Sequence, residues 1–341
     1  MKHRIKTVIL NGVLLLCCTS FSLPASSHHS MIRFDTGKTI SVQGVVKRLE
    51  WKNPHVYIYM QQVSDIGELV DWEIEGPPPA LMLRMGWSQD ILTPGQSISV
   101  TGSPHRDNKV KSIFPSEINS ADDTLFNMIT AIFQANSYEE PKSGAKSLAG
   151  NWITLFDFQQ MTKFAYATNL DLTEAGRLSV KNYDEATMLP ARNCIASPIP
   201  TSAIFPDTKQ IEINDKQVII RGEYEDTVRV VHLDATDENV MPSIQGHSVG
   251  KWEDRTLVID TSQFLEHRAG NGLGLPSSSE KTTREWLILS EDGKRIDYRL
   301  EVTDPMYLNS PAIAELTLVY QPNRAFTPEI CDLENALKFA K

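Results

Sequence analysis

Alternating apolar and polar residues dominate the chain between residues 38 and 118. Short runs with a period of two are separated by turn-forming residues, a pattern typical of half-buried strands. The predicted strands are TISVQGVVKRLEW, HVYIYMQQV, LVDWEIEG, SISVTGSP and KVKSIFPSEI. Between the third and fourth, PPPALMLRMGW begins with prolines and ends in a Gly-Trp turn, which predicts one short helix. Five strands with a helix after the third indicate a small OB-like β-barrel.

A helical pattern follows in residues 121–147. Asp122 or Asp123 can cap a helix whose apolar residues fall on one face, namely Leu125, Ile129, Ile132 and Phe133. From Glu139 to Ser147 the chain is polar and contains Pro and Gly, as linkers do. We therefore expect a helix and a linker over 120–147, with a domain boundary near residue 145.

The remaining chain, residues 148–341, again alternates and predicts roughly seven or eight strands. Asn214-Asp215 and Asp292-Gly293 predict hairpin turns between alternating runs. Such a meander, opening on Gly150-x-Trp152, indicates an up-and-down barrel or a strongly curved sheet around a cavity, as in lipocalin-like proteins. The predicted fold class is all-β: an OB-like barrel over 28–119 and a larger antiparallel lipocalin-like β-barrel over 148–341, joined by one helix.

The first 27 residues have the order of a secretory signal peptide. Lys2, Arg4 and Lys6 precede an apolar run that is too short to span a bilayer, and small residues follow it. A cut after Ser27 would make His28 the new amino terminus, whereas a cut after Ala25 would leave two serines ahead of it. No later apolar stretch approaches membrane-spanning length, so we expect a periplasmic or secreted protein that does not span the membrane.

The charge balance argues against nucleic acid as a partner. The chain has 33 Lys and Arg against 43 Asp and Glu, a formal net charge of −10. Loss of the leader removes three basic residues and no acidic ones, which makes the remainder more acidic. Phosphate contacts require a basic face, and this composition does not supply one.

Two of the four cysteines lie beyond the leader, Cys194 and Cys331. In an oxidising compartment, two cysteines in one exported chain are expected to pair. The predicted disulfide would tie the carboxy-terminal tail to the middle of the chain.

Two adjacent histidines, His28 and His29, suggest a metal site at the mature amino terminus. A terminal histidine offers its amine and its ring nitrogen together, and with one further imidazole it makes a compact copper site. His55 and His105 are the candidates for that third ligand. The alternative is structural: the pair begins a strand, and His55, in the turn around Asn53-Pro54, bonds to backbone.

The segment GHSVGKWEDRTLVIDTSQF, residues 246–264, is the densest cluster of unusual residues. A buried carboxylate at a strand end, Asp260, beside His247 or His267 would act as a general acid or base, with burial moving its pKa toward working pH. Alternatively, Asp260 accepts backbone N–H bonds and holds the glycine-rich loop 261–279.

Residues 28–115 resemble a widespread bacterial family of exported domains of unknown function. The matching motifs are His28-His29-Ser30, Phe34-Asp35, Gly44-Val45-Val46, Trp51-x-Asn53-Pro54-His55, Trp72-x-Ile74-Glu75, Arg84-x-Gly86-Trp87 and Pro94-Gly95. The resemblance implies export and a fold, and brings no activity. Trp51, His55 and Met60 also resemble the imidazole and sulfur sets that bind Cu(I) in small periplasmic OB-fold carriers.

Residues 246–264, Asp304-Pro305 and Cys331-x-x-Glu334-Asn335 are similar to a second uncharacterised, often exported, all-β family. Its motif runs Ser-x-Gly-x-Trp-Glu-Gly-Asp-Thr-Leu-Val-x-Asp-Thr, and Asp254-Arg255 replaces its Gly-Asp here. Because the acidic residue of the family's turn is replaced, Asp260 is the better candidate for a catalytic carboxylate than the turn.

Three functional hypotheses follow. The first is a protein that binds a small apolar or amphipathic molecule in the second domain, with or without catalysis there by Asp260, His247 and His267. The second is a copper-binding protein that uses His28, His29 and His55. The third is an envelope interaction module with neither metal nor ligand, whose protein partner the sequence does not name.

Overall fold

The structure, a computed structural model, describes residues 33–120, 123–128, 137–165, 167–184, 188–233 and 240–340. The predicted leader, His28 and His29 lie outside these residues. Among the described residues, no helix is both long and apolar enough to cross a membrane.

The amino-terminal part is a small barrel. Strands β1 to β3 pair in order, β1 also pairs with β4, and β4 pairs with β5. A parallel contact between β3 and β5 closes the barrel, which confirms the OB-like fold and the helix after the third strand. The elements are β1 Ile40–Glu50, β2 Tyr57–Val63, β3 Leu69–Glu75, α1 Pro79–Arg84, β4 Ser97–Pro104, β5 Ser112–Asn119 and β6 Thr124–Asn127.

Strand β1 is shared by both halves of this barrel because it bends. Its first half pairs with β4 and its second half with β2, with a register shift between Val46 and Arg48. Ahead of this shift, a Cβ on Gly44 would lie 2.7 Å from the carbonyl oxygen of Gln61, so only glycine allows this approach. Val42 and Val46 face the core, whereas Val45 is 40% exposed.

The connecting segment departs from the predicted helix. Thr124–Asn127 form a strand that pairs with β5, so the helix prediction is wrong for these four residues. The edge of β5 offers hydrogen-bond partners, and Phe126 is buried with its ring 6.4 Å from that of Trp87. The rest of the predicted helix, from residue 129 on, lies outside the described residues up to residue 136.

The carboxy-terminal part is a closed barrel of nine strands in the order β10-β11-β12-β15-β16-β17-β7-β8-β9. Neighbours pair antiparallel except β10 and β11, which run parallel, so the barrel departs from a pure up-and-down path at one joint. Its strands are β7 Gly150–Thr154, β8 Thr208–Ile213, β9 Gln217–Gly222, β10 Thr227–His232, β11 His247–Glu253, β12 Thr256–Ser262, β15 Thr282–Leu289, β16 Arg295–Thr303 and β17 Ala312–Tyr320. The predicted hairpins at Asn214-Asp215 and Asp292-Gly293 are confirmed.

One end of this barrel is covered, and we call it the capped end. The chain leaves this end between β7 and β8 and again between β12 and β15, forming α2 Phe158–Ala165, α3 Glu174–Lys181, α4 Thr201–Ile204 and a hairpin of β13 His267–Gly272 with β14 Leu275–Ser277. Helices α2, α3 and α4 pack on that hairpin. Apolar residues of the cap, Phe164, Ile199 and Leu275, belong to the barrel core.

The carboxy-terminal segment connects the two barrels. Cys331 forms the predicted disulfide with Cys194, close to the cap. The segment also forms a β-bridge with Asn53. Asn335, in helix α5 Leu333–Ala336, donates to the backbone oxygens of His55 at 2.8 Å and Lys52 at 3.3 Å. The Asn-Pro-His turn of the first barrel is therefore the docking point of the disulfide-anchored tail.

Candidate functional site

Below the cap, the second barrel contains a cavity of about 50 Å³. A cavity needs about 10–15 Å³ to hold one water molecule, so this one has room for roughly three or four waters or a molecule of similar size. Both apolar and polar residues line it. The apolar ones are Ile199, Ala203, Ile211, Ile220, Leu287 and Leu318. The polar ones are Ser202, Lys209, Thr227, Arg229, Gln245, Glu285 and Tyr298.

A buried ion pair forms the centre of the polar wall. Arg229 on β10 donates two hydrogen bonds, each 2.8 Å, to the two carboxylate oxygens of Glu285 on β15. Tyr298 on β16 donates its hydroxyl to the same carboxylate at 2.8 Å. Burial and the charge of Glu285 raise the pKa of Tyr298 well above its ordinary value, which keeps the hydroxyl protonated. Two of the five N–H groups of Arg229 are used by Glu285.

A second ion pair leads from the cavity toward the first barrel. Lys209 pairs with Asp207 and donates to the backbone oxygen of Ser202 at 2.6 Å. Asp207 accepts from the backbone N–H of Tyr224 at 2.7 Å, and burial raises the pKa of Asp207 above its usual value. The neighbouring Glu223 pairs with Arg84, at the end of helix α1. Charged groups therefore link the cavity wall to the first barrel.

A third polar cluster lies in the cap itself. The amine of Lys281 donates to the backbone oxygens of Ile199 and Gly270 and lies 4.5 Å from the centre of the Phe264 ring. Lys281 is 1% exposed. Burial lowers its pKa to about 7, although the charge of Asp304 opposes this.

His267 belongs to the same cluster. Its Nδ1 accepts the backbone N–H of Ala269 at 3.2 Å, which assigns the ring proton to Nε2. That Nε2 is buried and has no hydrogen-bond partner in the part of the chain that the structure describes. Burial and the charge of Lys281 lower the pKa of His267 to about 4, so the ring is neutral near pH 7.

Asp304 holds the cap hairpin in place. Its carboxylate accepts from the side chain of Asn271 at 2.7 Å and from both the backbone N–H and the hydroxyl of Ser278 at 2.8 Å. The backbone N–H of Met306 adds a fourth bond at 3.3 Å. Because its oxygens are used in this way, Asp304 has a structural role.

The predicted catalytic residues do not converge. Asp260 is not the buried carboxylate that the sequence predicts. Its side chain is 51% exposed, and it pairs with Arg284 at 2.6 Å. The reason is the alternation of β12, in which Leu257, Ile259 and Thr261 are buried and Asp260 faces out. His247 stacks on His232 with ring centres 5.1 Å apart. Only His267 lies in a buried polar cluster, and catalysis by these residues stays a prediction.

The predicted metal ligands are only partly described. His55 is buried. Its Nδ1 lies 3.1 Å from the backbone oxygen of Gly76 and 3.8 Å from Oε1 of Glu75. This contact agrees with the structural alternative for His55. His105 packs edge-on against Phe34. Within the described ranges, no group of three or more His, Cys, Asp or Glu side chains could hold a metal ion. Copper binding by His28, His29 and His55 stays a prediction, because the first two lie outside those ranges.

Sequence reasoning missed the charged residues of the cavity. Glu285 had a detectable signal, because it occupies an inward position between Thr283 and Leu287 in an alternating strand. Arg229 is inward by the same rule on β10. Lys281 precedes a strand and gave no comparable signal.

Comparison with known families gives a match that extends over the first barrel and not over the second. Residues 15–114 match the model of a family described as a family of unknown function (DUF6152). This agrees with the predicted resemblance of the amino-terminal domain, and the match ends before the second barrel begins. No curated protein matches the chain.

Proposed function

We propose that this is an exported protein that binds a small amphipathic molecule at the capped end of its second barrel. The observation that carries the proposal is the composition of the cavity wall, which combines apolar side chains with a buried, hydrogen-bonded set of charged residues. Small-molecule sites commonly combine an apolar lining with a few placed polar groups.

The polar wall favours a ligand with hydrogen-bond acceptors. Two cationic side chains, Lys209 and Arg229, and one carboxylate, Glu285, line the cavity. Arg229 retains N–H donors beyond the pair with Glu285, and a guanidinium suits a carboxylate geometrically. We therefore expect a carboxylate or a similar acceptor at this wall, with apolar carbons against Leu287 and Leu318.

The cavity volume limits the ligand to a few non-hydrogen atoms. A cavity of about 50 Å³ suits a short-chain carboxylate better than the larger apolar molecules that wide β-barrels enclose.

Export is supported by two features. The first 27 residues have the pattern of a secretory leader. The disulfide between Cys194 and Cys331 is of the kind that persists in an oxidising compartment.

The test is calorimetric or NMR titration of the purified protein with straight-chain carboxylates from acetate to octanoate. While the cavity has room, each added CH₂ contributes about 0.8 kcal/mol, or roughly fourfold in affinity. We expect affinity to rise over the first members and to fall once the chain exceeds the cavity.

Two substitutions on the same strand provide the control. Leu287→Phe would fill the cavity and abolish binding, whereas Ile288→Phe places the same ring on the outer face, where Ile288 is 42% exposed. Equal effects of the two substitutions, or no saturable binding by any member of the series, would refute the proposal.

A further inference from the structure

A row of three residues across neighbouring strands adds a second polar part to the cavity wall. Lys209 on β8 and Thr227 on β10 both pair with Gly222 on β9. Directly paired residues of antiparallel strands lie on the same face of the sheet, and all three line the cavity. An amine and a hydroxyl therefore lie on the inner face of the barrel, separated by a residue that has no side chain.

The space around Gly222 explains why this residue is glycine. It belongs to an extended strand and its φ angle is not in the left-handed region, so the backbone does not require glycine. A Cβ at this position would lie 2.5 Å from Oγ1 of Thr227 and 3.2 Å from Nζ of Lys209. Both distances are shorter than ordinary contacts of a carbon atom. Glycine thus lets the hydroxyl and the amine approach the same point of the wall.

Lys209 offers a ligand a hydrogen bond rather than an unbalanced charge. Its ammonium contacts the carboxylate of Asp207 and the backbone oxygen of Ser202, which take two of its three N–H donors. Because Asp207 balances the charge of Lys209 and would repel a second anion, this part of the wall disfavours a carboxylate. A hydroxyl suits it, because a hydroxyl is neutral and both donates and accepts.

The guanidinium of Arg229 lies further along the same wall. Arg229 follows Thr227 by two residues on β10, so both face inward, and their Cα atoms are about 7 Å apart along the strand. Arg229 is the group in this wall that suits a carboxylate, because a guanidinium matches its two oxygens. The cavity thus has two polar subsites of different chemistry: Arg229 forms the first, and Lys209 with Thr227 forms the second.

We propose that the ligand of this cavity is a short hydroxycarboxylate, whose carboxylate binds at Arg229 and whose hydroxyl binds between Lys209 and Thr227. The inference rests on the proposed function, because it concerns the ligand of the same cavity. It narrows the class from short carboxylates in general to those with a hydroxyl group, and it assigns Thr227 as a residue that determines specificity.

The experiment compares pairs of acids that have the same number of non-hydrogen atoms. Glycolate differs from propanoate in having a hydroxyl in place of a methyl group, and 3-hydroxypropanoate differs from butanoate in the same way. Calorimetric or NMR titration of the purified protein gives the dissociation constant of each acid. We expect the tighter-binding hydroxy acid to bind at least about tenfold more tightly than its apolar counterpart, because a methyl group at this subsite leaves buried polar groups unpaired. At an apolar wall the order would be reversed, since a buried hydroxyl without a partner is unfavourable.

Substitutions at Thr227 locate the subsite. Thr227→Val keeps the shape of the side chain and removes the hydroxyl, so the preference for the hydroxy acid should fall at least about fivefold. Thr227→Ser keeps a hydroxyl and should keep the preference. Thr283→Val is the matched control, because Thr283 is a buried threonine of β15 that is not among the described residues lining the cavity. It should leave the preference unchanged.

Malonate tests the main alternative, a second carboxylate at the subsite of Lys209 and Thr227. Malonate carries this group where the hydroxy acids carry their hydroxyl. We expect it to bind more weakly than the tighter-binding hydroxy acid, because Asp207 lies beside Lys209. Tighter binding of malonate would overturn the hydroxycarboxylate class.

The remaining outcomes separate this inference from the proposed function. Saturable binding of straight-chain carboxylates, with neither hydroxy acid bound more tightly than its counterpart, overturns this inference alone. A preference that Thr227→Val leaves intact, or that Thr283→Val reduces equally, overturns the assigned subsite. Absence of saturable binding by every acid tested overturns the proposed function together with this inference.

Discussion

At the scale of the residue, burial decides what a charged side chain does in this protein. Arg284 and Glu285 are neighbours on β15, yet Arg284 pairs with Asp260 on the exposed face while Glu285 pairs with Arg229 inside the barrel. An exposed pair is screened by water, whereas a buried charge needs its partner. The buried pair and the exposed pair therefore contribute differently to the free energy of unfolding, although both consist of an arginine and a carboxylate.

This contrast gives the first prediction. Glu285→Gln leaves Arg229 buried without a counter-ion and should lower the free energy of unfolding by about 3–5 kcal/mol. Asp260→Asn removes an exposed partner and should cost less than about 1 kcal/mol. Urea unfolding followed by circular dichroism measures both. A similar loss for the two variants would contradict the assigned roles of the pairs.

The residue scale also shows where prediction from sequence ends. The alternation of TLVIDTS places Asp260 and Leu257 on opposite faces of a strand, but it does not say which face is buried at the strand end. His267 is close to Asp260 in the sequence, but in the structure it lies with Lys281 in the cap. Such contacts depend on the path of the loop, which no local pattern encodes.

At the scale of the element, strands were the most predictable features. Alternation and turn residues located β1 to β5 and the hairpins of the second barrel, because a strand with one buried face imposes a period of two. Thr124–Asn127 became a strand because β5 offered an open edge. Pairing with the edge of the preceding strand overrides a local helical pattern here.

The carboxy-terminal helix α5 gives a prediction at this scale. Asn335 is 1% exposed and donates to the backbone oxygens of Lys52 and His55, so Asn335→Ala leaves buried acceptors without a donor. We expect a loss of about 1–3 kcal/mol in the free energy of unfolding and faster hydrogen exchange in the tail. Leu333→Ala, at a position 51% exposed, is the matched control with an expected effect below about 0.5 kcal/mol. Equal exchange rates in the two variants would rule out Asn335 as the anchor.

At the scale of the whole molecule, the disulfide and the tail join the two barrels. Cys194 and Cys331 are separated by 137 residues, so their bond closes a long loop and restricts the unfolded chain. The tail it anchors contacts the first barrel at Asn53. The bond therefore stabilises both the second barrel and its attachment to the first.

Replacing both cysteines by serine tests this arrangement. The double variant should lose about 2–5 kcal/mol of stability and show increased protease cleavage before residue 331, because the tail is then held only by weaker contacts. Reduced wild-type protein is the control and should behave in the same way. An unchanged unfolding midpoint in both samples would show that the bond does not constrain the unfolded state.

The sequence by itself determined the features that depend on local patterns or on a small number of candidates. Alternation predicted the all-β class and most strands, and two cysteines beyond the predicted leader allowed one disulfide. The tertiary structure alone decided which buried groups meet: Arg229 with Glu285, 56 residues apart, and Lys281 with Ile199, 82 residues apart. These contacts form when the barrel closes and its end is capped. Closure brings together side chains that are far apart in the sequence, and sequence separation alone does not tell which of them become neighbours in space.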